Sequence, residues 1–331
     1  MALEFHWVLP TEGDPPRLDP QGRTRQPAHW IAVAQAAEYA GFNALLVPTG
    51  VQRPDAWLVA AALARHTQRL GFIVAFRPGL VLPAVAAQRA QTLHELSGQR
   101  LLLSVLTGGD AAEHHGYGDL INHDDRFVRA AEFLRVVRQV WKGRGACSGI
   151  DHHGAHYRLQ NGGLSRPLRQ PPALYVGGAS PASERVAAEQ AQVYYGWAEA
   201  PALLQARVQR VTALAAGQGR SLRVGCRLHV VARTTEAEAQ REAGTMLRGA
   251  EIAPNLWQIA RPAGGRNGVA LVGSYARVAQ RMAGMQSLGI ESFILSADAG
   301  LDDALRLGEE LLPLVGARPT SAKPVPAELR G

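Results

Sequence analysis

The sequence has few cysteines, almost no lysine and no long hydrophobic run. Its 331 residues include two cysteines, Cys147 and Cys226, which form neither a CxxC motif nor a disulfide framework. This usage favours a reducing compartment. No stretch reaches the roughly 18 apolar residues of a membrane-spanning helix, and the start, MALEFHWVLP, lacks the basic region of a signal peptide. We therefore expect a cytoplasmic protein with no membrane partner.

The scarcity of lysine makes the positive charge almost entirely arginine. Lys142 and Lys323 are the two lysines, so 33 of the 35 basic residues are arginines, and the net charge is +7. A guanidinium group binds planar oxyanions through a rigid fork of donors. These arginines lie among acidic residues and form no basic run or aromatic stripe, so we expect no nucleic-acid partner.

Short apolar runs alternate with helical patterns over most of the chain. The predicted strands are 4–9, 43–48, 70–76, 101–107, 173–178, 192–197, 222–231 and 291–296. The predicted helices are 28–40, 54–66, 83–96, 124–142, 181–190, 200–216, 236–247, 275–287 and 302–312. This alternation is typical of a parallel α/β sheet covered by helices. Eight strands with helical returns predict a (β/α)8 TIM barrel with insertions.

A doubly wound open sheet is the alternative fold. Such a sheet usually carries a G-x-G-x-x-G turn after its first strand, whereas the first strand here runs into LPTEGDPPR. We predict one barrel domain over residues 1–315 and an extended or disordered tail over 316–331. Residues 144–172 look like an inserted hairpin, and 248–272 look like a mobile excursion.

The seventh predicted strand places basic side chains on one of its two faces. Arg223, Gly225, Arg227 and His229 share that face, because successive residues of a strand point to opposite sides. Burying a guanidinium and an imidazole without partners is costly, so we predict a polar cavity at the carboxyl end of the barrel, where barrel enzymes place their sites. The alternative is a salt bridge at the barrel floor for Arg223 and a hydrogen-bonded core histidine.

Two glycine-containing turns could bind a ligand. In GGASP, Ser180 suits a helix N-cap and Pro181 the first helical position, and the N-terminus of a helix attracts anions. Thr107 begins a TGGD turn that could admit a planar ring. Either segment could instead be an ordinary loop.

The histidine clusters predict no metal site. His152, His153 and His156 have a spacing that could hold a metal, but a solvated hairpin is the favoured interpretation. We expect His114 and His115 to be loop residues near the mouth of the barrel.

Several sequence blocks, taken in order, resemble a known family. The blocks are FHWVLPTEGD, LLVPTG with DAWLVAA, FRPG, LTGGD, DRFVRAAEF, LYVGGAS, CRLHVVAR, APNLW and LVGSYARVAQRM. Between about residues 4 and 315 the chain resembles the bacterial luciferase-like flavin monooxygenases, and most of all the FMNH2-dependent alkanesulfonate monooxygenases.

The resemblance implies a two-component oxidoreductase of sulfur metabolism. A separate NAD(P)H-dependent FMN reductase would supply reduced FMN. This chain would then use O2 to convert a small anionic organosulfur substrate, an alkanesulfonate, to an aldehyde and sulfite. The family also implies a homodimer or homotetramer.

The resemblance also implies roles for individual residues. Arg227 and His229 match the family's catalytic arginine and histidine, which suit oxyanion stabilisation and proton relay. Ser180 would contact the FMN phosphate. The cofactor-binding residues it implies are Phe76, Arg77, Thr107, Tyr117, Arg126, Phe127, Gly178, Ala179 and Ser180.

The substrate side departs from the family. The expected substrate residues are Trp197, Arg261, Glu12 and Arg53. Arg53 stands where the family has a cysteine, and Glu12 stands where it has a histidine. These departures leave open a sulfone, an aldehyde or a nitrogen heterocycle as substrate. They also leave open a deazaflavin-dependent enzyme or a flavin-binding protein without turnover.

Overall fold

Eight parallel strands pair side by side and close into a barrel. The structure is a computed structural model that describes residues 3–11, 26–108, 111–143, 149–246, 250–259, 268–297 and 300–316. Its strands are β1 (Glu4–Val8), β2 (Ala44–Val47), β3 (Gly71–Phe76), β4 (Leu101–Val105), β5 (Ile150–His153), β6 (Arg158–Gly162), β7 (Leu174–Gly177), β8 (Val193–Trp197), β9 (Arg223–Arg233), β10 (Glu251–Ala253), β11 (Leu256–Ile259), β12 (Gly268–Ser274) and β13 (Ile290–Ser296). The barrel order is β13-β1-β2-β3-β4-β7-β8-β9, and β9 returns to β13.

Helices follow most of these strands on the outside. They are α1 (Pro27–Tyr39), α2 (Ala56–Ala64), α3 (Pro83–Leu96), α4 (Ala111–Gly116), α5 (His123–Lys142), α6 (Pro181–Gln190), α7 (Pro201–Ala216), α8 (Glu236–Met246), α9 (Tyr275–Ser287) and α10 (Leu301–Glu310), followed by a short 3-10 helix at Leu312–Val315. The predicted TIM barrel is therefore confirmed. Among the described helices, none combines the length and the apolar character that crossing a membrane requires.

The alternation of side chains along each strand divides the core into two layers. Phe5, Trp7 and Phe72 are fully buried between the strands and the helices. Tyr175 and Tyr195 belong to a separate cluster that fills the inside of the barrel. Burial of one large apolar side chain contributes about 1.5–3 kcal/mol, so both layers hold the strand ends in fixed positions.

The prediction of a mobile excursion at 248–272 was wrong for its described part. Residues 250–259 and 268–272 contribute β10, β11 and the start of β12, and β12 pairs in parallel with β9 from Ala270↔His229 to Ser274↔Arg233. The physical reason is the length of β9. It has 11 residues, but β8 pairs with it only as far as Arg227, so its upper half needs another neighbour.

The inserted hairpin is confirmed, since β5 and β6 pair in antiparallel fashion. It is fixed to α5 by Glu132, whose carboxylate accepts hydrogen bonds from the backbone N–H groups of His156 at 3.0 Å and Tyr157 at 2.9 Å. The same carboxylate lies 3.1 Å from Nε2 of His152. In the described part of the chain, no group of three or more His, Cys, Asp or Glu side chains could hold a metal ion.

The expectation that His114 and His115 lie in a loop was also wrong. Both lie on α4, the six-residue helix that follows β4, and His114 is buried whereas His115 is exposed. Of the tail predicted at 316–331, residues 317–331 lie outside the described part of the chain.

Candidate active site at the barrel mouth

Arg227, Trp197 and His229 meet at the carboxyl ends of β8 and β9. The Arg227 guanidinium carbon lies 4.7 Å from the centre of the Trp197 ring, a cation–π contact of about 1–2 kcal/mol. His229 is 5% exposed, and its Nδ1 lies 3.3 Å from the Ser296 hydroxyl. The structure thus brings three of the predicted residues together, while their roles stay predictions.

Arg223 lies at the opposite end of the same strand face. Its Nη1 is 2.9 Å from Oε1 of Glu4 at the start of β1. Burial by itself raises the pKa of Glu4, but the contacts with His6 and Arg223 outweigh it and lower the pKa to about 2. The barrel-floor salt bridge considered for Arg223 is the arrangement that the structure shows.

Arg77 extends inward from the end of β3 with most of its donors unused. Its Nη2 is 2.5 Å from Oε2 of Glu113 on α4, and its guanidinium lies 5.6 Å from the centre of the Tyr117 ring. Nε and Nη1 are buried and have no hydrogen-bond partner within the described residues. Buried N–H groups without acceptors are costly, so this arginine is built to receive an acceptor.

Arg126 holds the turn that follows β4, where Thr107 is buried. Its Nη1 donates to the carbonyl of Ile121 at 2.8 Å and its Nη2 to that of Gly108 at 3.4 Å, while Nε is buried without a partner in the described ranges. Burial lowers the pKa of Arg126, the Asp119 carboxylate raises it, and the charges of Arg129 and Arg77 lower it further. The buried Nε without a partner would be satisfied by an anionic or carbonyl-bearing ligand.

The rings of Phe76 and Phe127 do not line the mouth. Phe76 belongs to the outer layer, where it packs 5.6 Å from Trp57 and 6.0 Å from Phe133, ring centre to ring centre. Phe127 also belongs to the outer cluster and contacts His123 edge to face at 5.0 Å. Both rings therefore pack against neighbours in the outer layer, and the flavin contacts implied for these two residues stay predictions.

The turn at residues 178–180, between β7 and α6, is a candidate anion cradle. The Ser180 hydroxyl accepts a hydrogen bond from the Ser183 N–H at 3.2 Å, and the Ser180 N–H donates to the Ser183 hydroxyl at 3.1 Å. This capping box fixes the helix N-terminus. A Cβ on Gly178 would overlap the Ser183 side chain, and Ala179 is exposed. The Gly178 N–H already donates to the Tyr195 carbonyl at 3.2 Å, so an anion here would be held by the helix N-terminus and the Ser180 hydroxyl.

Arg53 reaches across the ends of β1 and β2. Its Nη1 donates to the Thr11 hydroxyl at 3.0 Å, and its stem passes over Gly50 beside Glu113. Glu12 and Arg261, the other predicted substrate residues, lie outside the described residues. The structure therefore places Trp197 and Arg53 at the mouth and gives no position for the other two.

Glu113 was not singled out from the sequence, and His114 was expected only as a loop residue near the mouth. Glu113 forms an ion pair with Arg77 and also accepts a hydrogen bond from the backbone N–H of Val51 at 3.0 Å. His114 lies beneath the turn after β4, where a Cβ on Gly108 would overlap its Nε2. The only signal was their place directly after the TGGD turn, and the short α4 gives too little periodicity to predict a helix.

The comparison with protein families identifies the chain. It matches the family model described as "Luciferase-like monooxygenase" over residues 3–292. The chain belongs to the luciferase-like monooxygenase family.

Solved structures share the fold of this luciferase-like protein at low identity. The EDTA monooxygenase from Chelativorans sp. BNC1 is 20% identical, with 98% of this chain and 96% of that chain covered and a TM-score of 0.81. A riboflavin lyase with modified FMN and riboflavin is 18% identical, with 95% and 91% covered and a TM-score of 0.79. An F420-dependent secondary alcohol dehydrogenase is 17% identical, with 95% and 99% covered and a TM-score of 0.73.

The residues of this luciferase-like mouth fit a flavin. In flavin mononucleotide, the phosphate oxygens and the two carbonyl oxygens of the pyrimidine ring are hydrogen-bond acceptors. The capped N-terminus of α6 offers the Ser180 hydroxyl and the positive end of the helix dipole, and Arg77 and Arg126 offer buried donors without partners among the described residues. The donor set and the group therefore match in chemistry.

Proposed function

We propose that this luciferase-like monooxygenase uses reduced FMN and O2 to convert an alkanesulfonate to an aldehyde and sulfite. The observation that carries the proposal is the Arg227 guanidinium held against Trp197 beside His229 at the barrel mouth. A planar fork of charged donors matches the oxygens of a sulfonate.

The cofactor would be held by residues from three loops. The capped turn at Ser180 suits the phosphate, while Arg77 and Arg126 donate to flavin oxygens. Bound reduced FMN would supply the electrons that activate O2. Tyr117, whose ring centre lies 5.6 Å from the Arg77 guanidinium, is 38% exposed and would cover part of this arginine.

The substrate would lie between the cofactor and the ends of β8 and β9. Arg227 would bind the sulfonate and stabilise negative charge that develops on its oxygens. His229 would accept or donate a proton through its ring nitrogens. The Ser296 hydroxyl at Nδ1 fixes the orientation of that ring.

Sulfite release tests the proposed reaction. The purified protein is mixed with FMN, NADH, an NAD(P)H-dependent FMN reductase and air, and sulfite is measured with a thiol-disulfide reagent across straight-chain sulfonates of increasing length. We expect sulfite from at least one sulfonate, none without O2, and an aldehyde in equal amount. Tight binding of reduced FMN with no sulfite from any sulfonate would contradict the reaction.

The same preparation separates the alternatives. A sulfone, an aldehyde and a nitrogen heterocycle are offered in place of the sulfonate, and product formation from one of these alone would reassign the substrate. Preferential binding of reduced F420 would favour a deazaflavin enzyme. Light scattering of the purified protein decides between the proposed homodimer and homotetramer.

A further inference from the structure

A buried network under the flavin side of the mouth has no part in the proposed reaction so far. Asp119, in the turn between α4 and α5, accepts hydrogen bonds from Arg129 at 3.0 Å on Oδ1 and at 2.5 Å on Oδ2. Its Oδ2 also lies 3.1 Å from Nδ1 of His114. Arg129 further donates to the Pro78 carbonyl at 3.2 Å and fills the space above Gly79. The network therefore joins the loops that follow β3 and β4.

The network fixes the tautomer of His114. Burial raises the pKa of Asp119, but the hydrogen bond and charge of Arg129 and the contact with His114 outweigh it and lower the pKa. An ionised Asp119 can only accept, so Nδ1 of His114 carries the hydrogen. Burial lowers the pKa of His114, and the charges of Arg126 and Arg77 lower it further. The hydrogen bond and charge of Asp119 raise it, but by less. With its Nδ1 hydrogen donated to Asp119, the neutral imidazole of His114 carries its lone pair on Nε2.

That lone pair is buried and unused. The side chain of His114 is 1% exposed, and Nε2 has no hydrogen-bond partner in the parts of the chain that the structure describes. Nε2 lies against Gly108, whose positive φ of 68° and missing Cβ make room for the imidazole. A buried acceptor without a donor is costly, so binding of a ligand that supplies a donor at this point would be favourable.

The surroundings of Nε2 indicate which donor this is. The charges of Arg77 and Arg126 both act on His114, and each of these arginines has buried N–H groups without acceptors among the described residues. The cluster thus combines one acceptor with several donors. The imide edge of a flavin has the complementary groups, because its N3–H donor lies between two carbonyl oxygens.

We propose that His114 is a cofactor-binding residue whose Nε2 accepts a hydrogen bond from the imide N3–H of the bound flavin. The inference rests on the proposed function in one respect only, that the cofactor carries this imide. Deazaflavins carry the same edge, so the inference holds for either cofactor.

Binding of flavin analogues tests the proposal. Dissociation constants of FMN and of 3-methyl-FMN are measured by fluorescence quenching for the wild type, His114→Ala, His114→Gln and the matched control His115→Ala. We expect the wild type and the control to bind FMN at least about 10-fold more tightly than 3-methyl-FMN. His114→Ala loses about 3- to 10-fold in FMN affinity and no longer distinguishes the two. His114→Gln, which keeps an acceptor, recovers part of the preference.

Several outcomes would overturn the proposal. One is a His114→Ala variant that keeps the wild-type preference for FMN over 3-methyl-FMN. Another is that His114→Ala weakens binding of FMN but not of 2′-deoxy-FMN. The donor to His114 would then be a ribityl hydroxyl and not the imide N3–H. Binding of neither FMN nor reduced F420 by the folded wild type would overturn this inference and the proposed function together. A preserved imide preference without sulfite release would contradict the sulfonate reaction alone.

Discussion

Replacing Arg227 tests the proposed site most directly. In Arg227→Ala the guanidinium is removed from the face of Trp197, while the neighbouring Leu228 stays fully buried in the outer core. The loss of one preorganised charge-assisted contact costs about 2.7–4 kcal/mol in the transition state. Because about 1.4 kcal/mol corresponds to a factor of ten, we expect kcat/KM for sulfite release to fall by roughly 10²- to 10³-fold.

Arg227→Lys separates charge from geometry. Lysine keeps the positive charge but loses the planar fork and most of the stacking on Trp197. We expect this variant to lie between the wild type and Arg227→Ala, with about a 10-fold loss if the lost part is comparable to a cation–π contact of about 1–2 kcal/mol.

Arg223→Ala is the matched control, since Arg223 shares the strand and the inward face but pairs with Glu4 at the barrel floor. It should lower stability while leaving kcat/KM within about threefold of the wild type in the folded enzyme. The assay is steady-state sulfite release at saturating reduced FMN, with melting curves to confirm folding. An Arg227→Ala enzyme with more than a tenth of the wild-type kcat/KM, or an Arg223→Ala enzyme as impaired as Arg227→Ala, would refute the assignment.

Three further predictions concern the cradle, the β4 turn and the barrel floor. Ser180→Ala should weaken FMN binding about 2- to 10-fold in fluorescence titration, the effect of one hydrogen bond; unchanged affinity would contradict the phosphate site. Gly108→Ala should destabilise the fold by about 1 kcal/mol or more in urea, because its φ is 68° and a Cβ would overlap His114. Glu4→Gln should cost about 1–2 kcal/mol at pH 7, because the pKa of about 2 gives up to about 3 kcal/mol before solvent screening. Since a lowered pKa stabilises above the unfolded value, this difference should shrink as the pH falls from about 4.5 towards 2; a difference in urea melts that stays constant with pH would disprove it.

The barrel strands could be predicted because each is a short apolar run. The predicted 101–107 and 291–296, for example, correspond to the observed Leu101–Val105 and Ile290–Ser296. Alternation along β9 also predicted the inward face correctly. Alternation could not show at which end of the barrel each side chain binds, since Arg223 and Arg227 have the same local pattern. The salt bridge to Glu4 at the start of β1 is what places Arg223 at the floor.

The flavin side was harder to predict because its geometry is set by contacts between distant segments. The pairing of Asp119 with both His114 and Arg129 depends on how α4 and α5 pack, which no local pattern encodes. Phe76 shows the same limit, since its family position implied a flavin contact while strand alternation turns its ring towards Phe133.

The short segment between α8 and α9 supports the site through the strand that carries His229. Beyond Arg227, β9 has no pairing with β8, and β12 takes that edge beginning with Ala270↔His229. β11 then pairs with β12 from Leu256↔Leu271 onward, so these strands extend the sheet beyond β12 on the same edge. His229 is thereby held between β12 and β13, whose Ser296 contacts its ring. Changes in the length of this segment would therefore act on the orientation of His229 through backbone pairing.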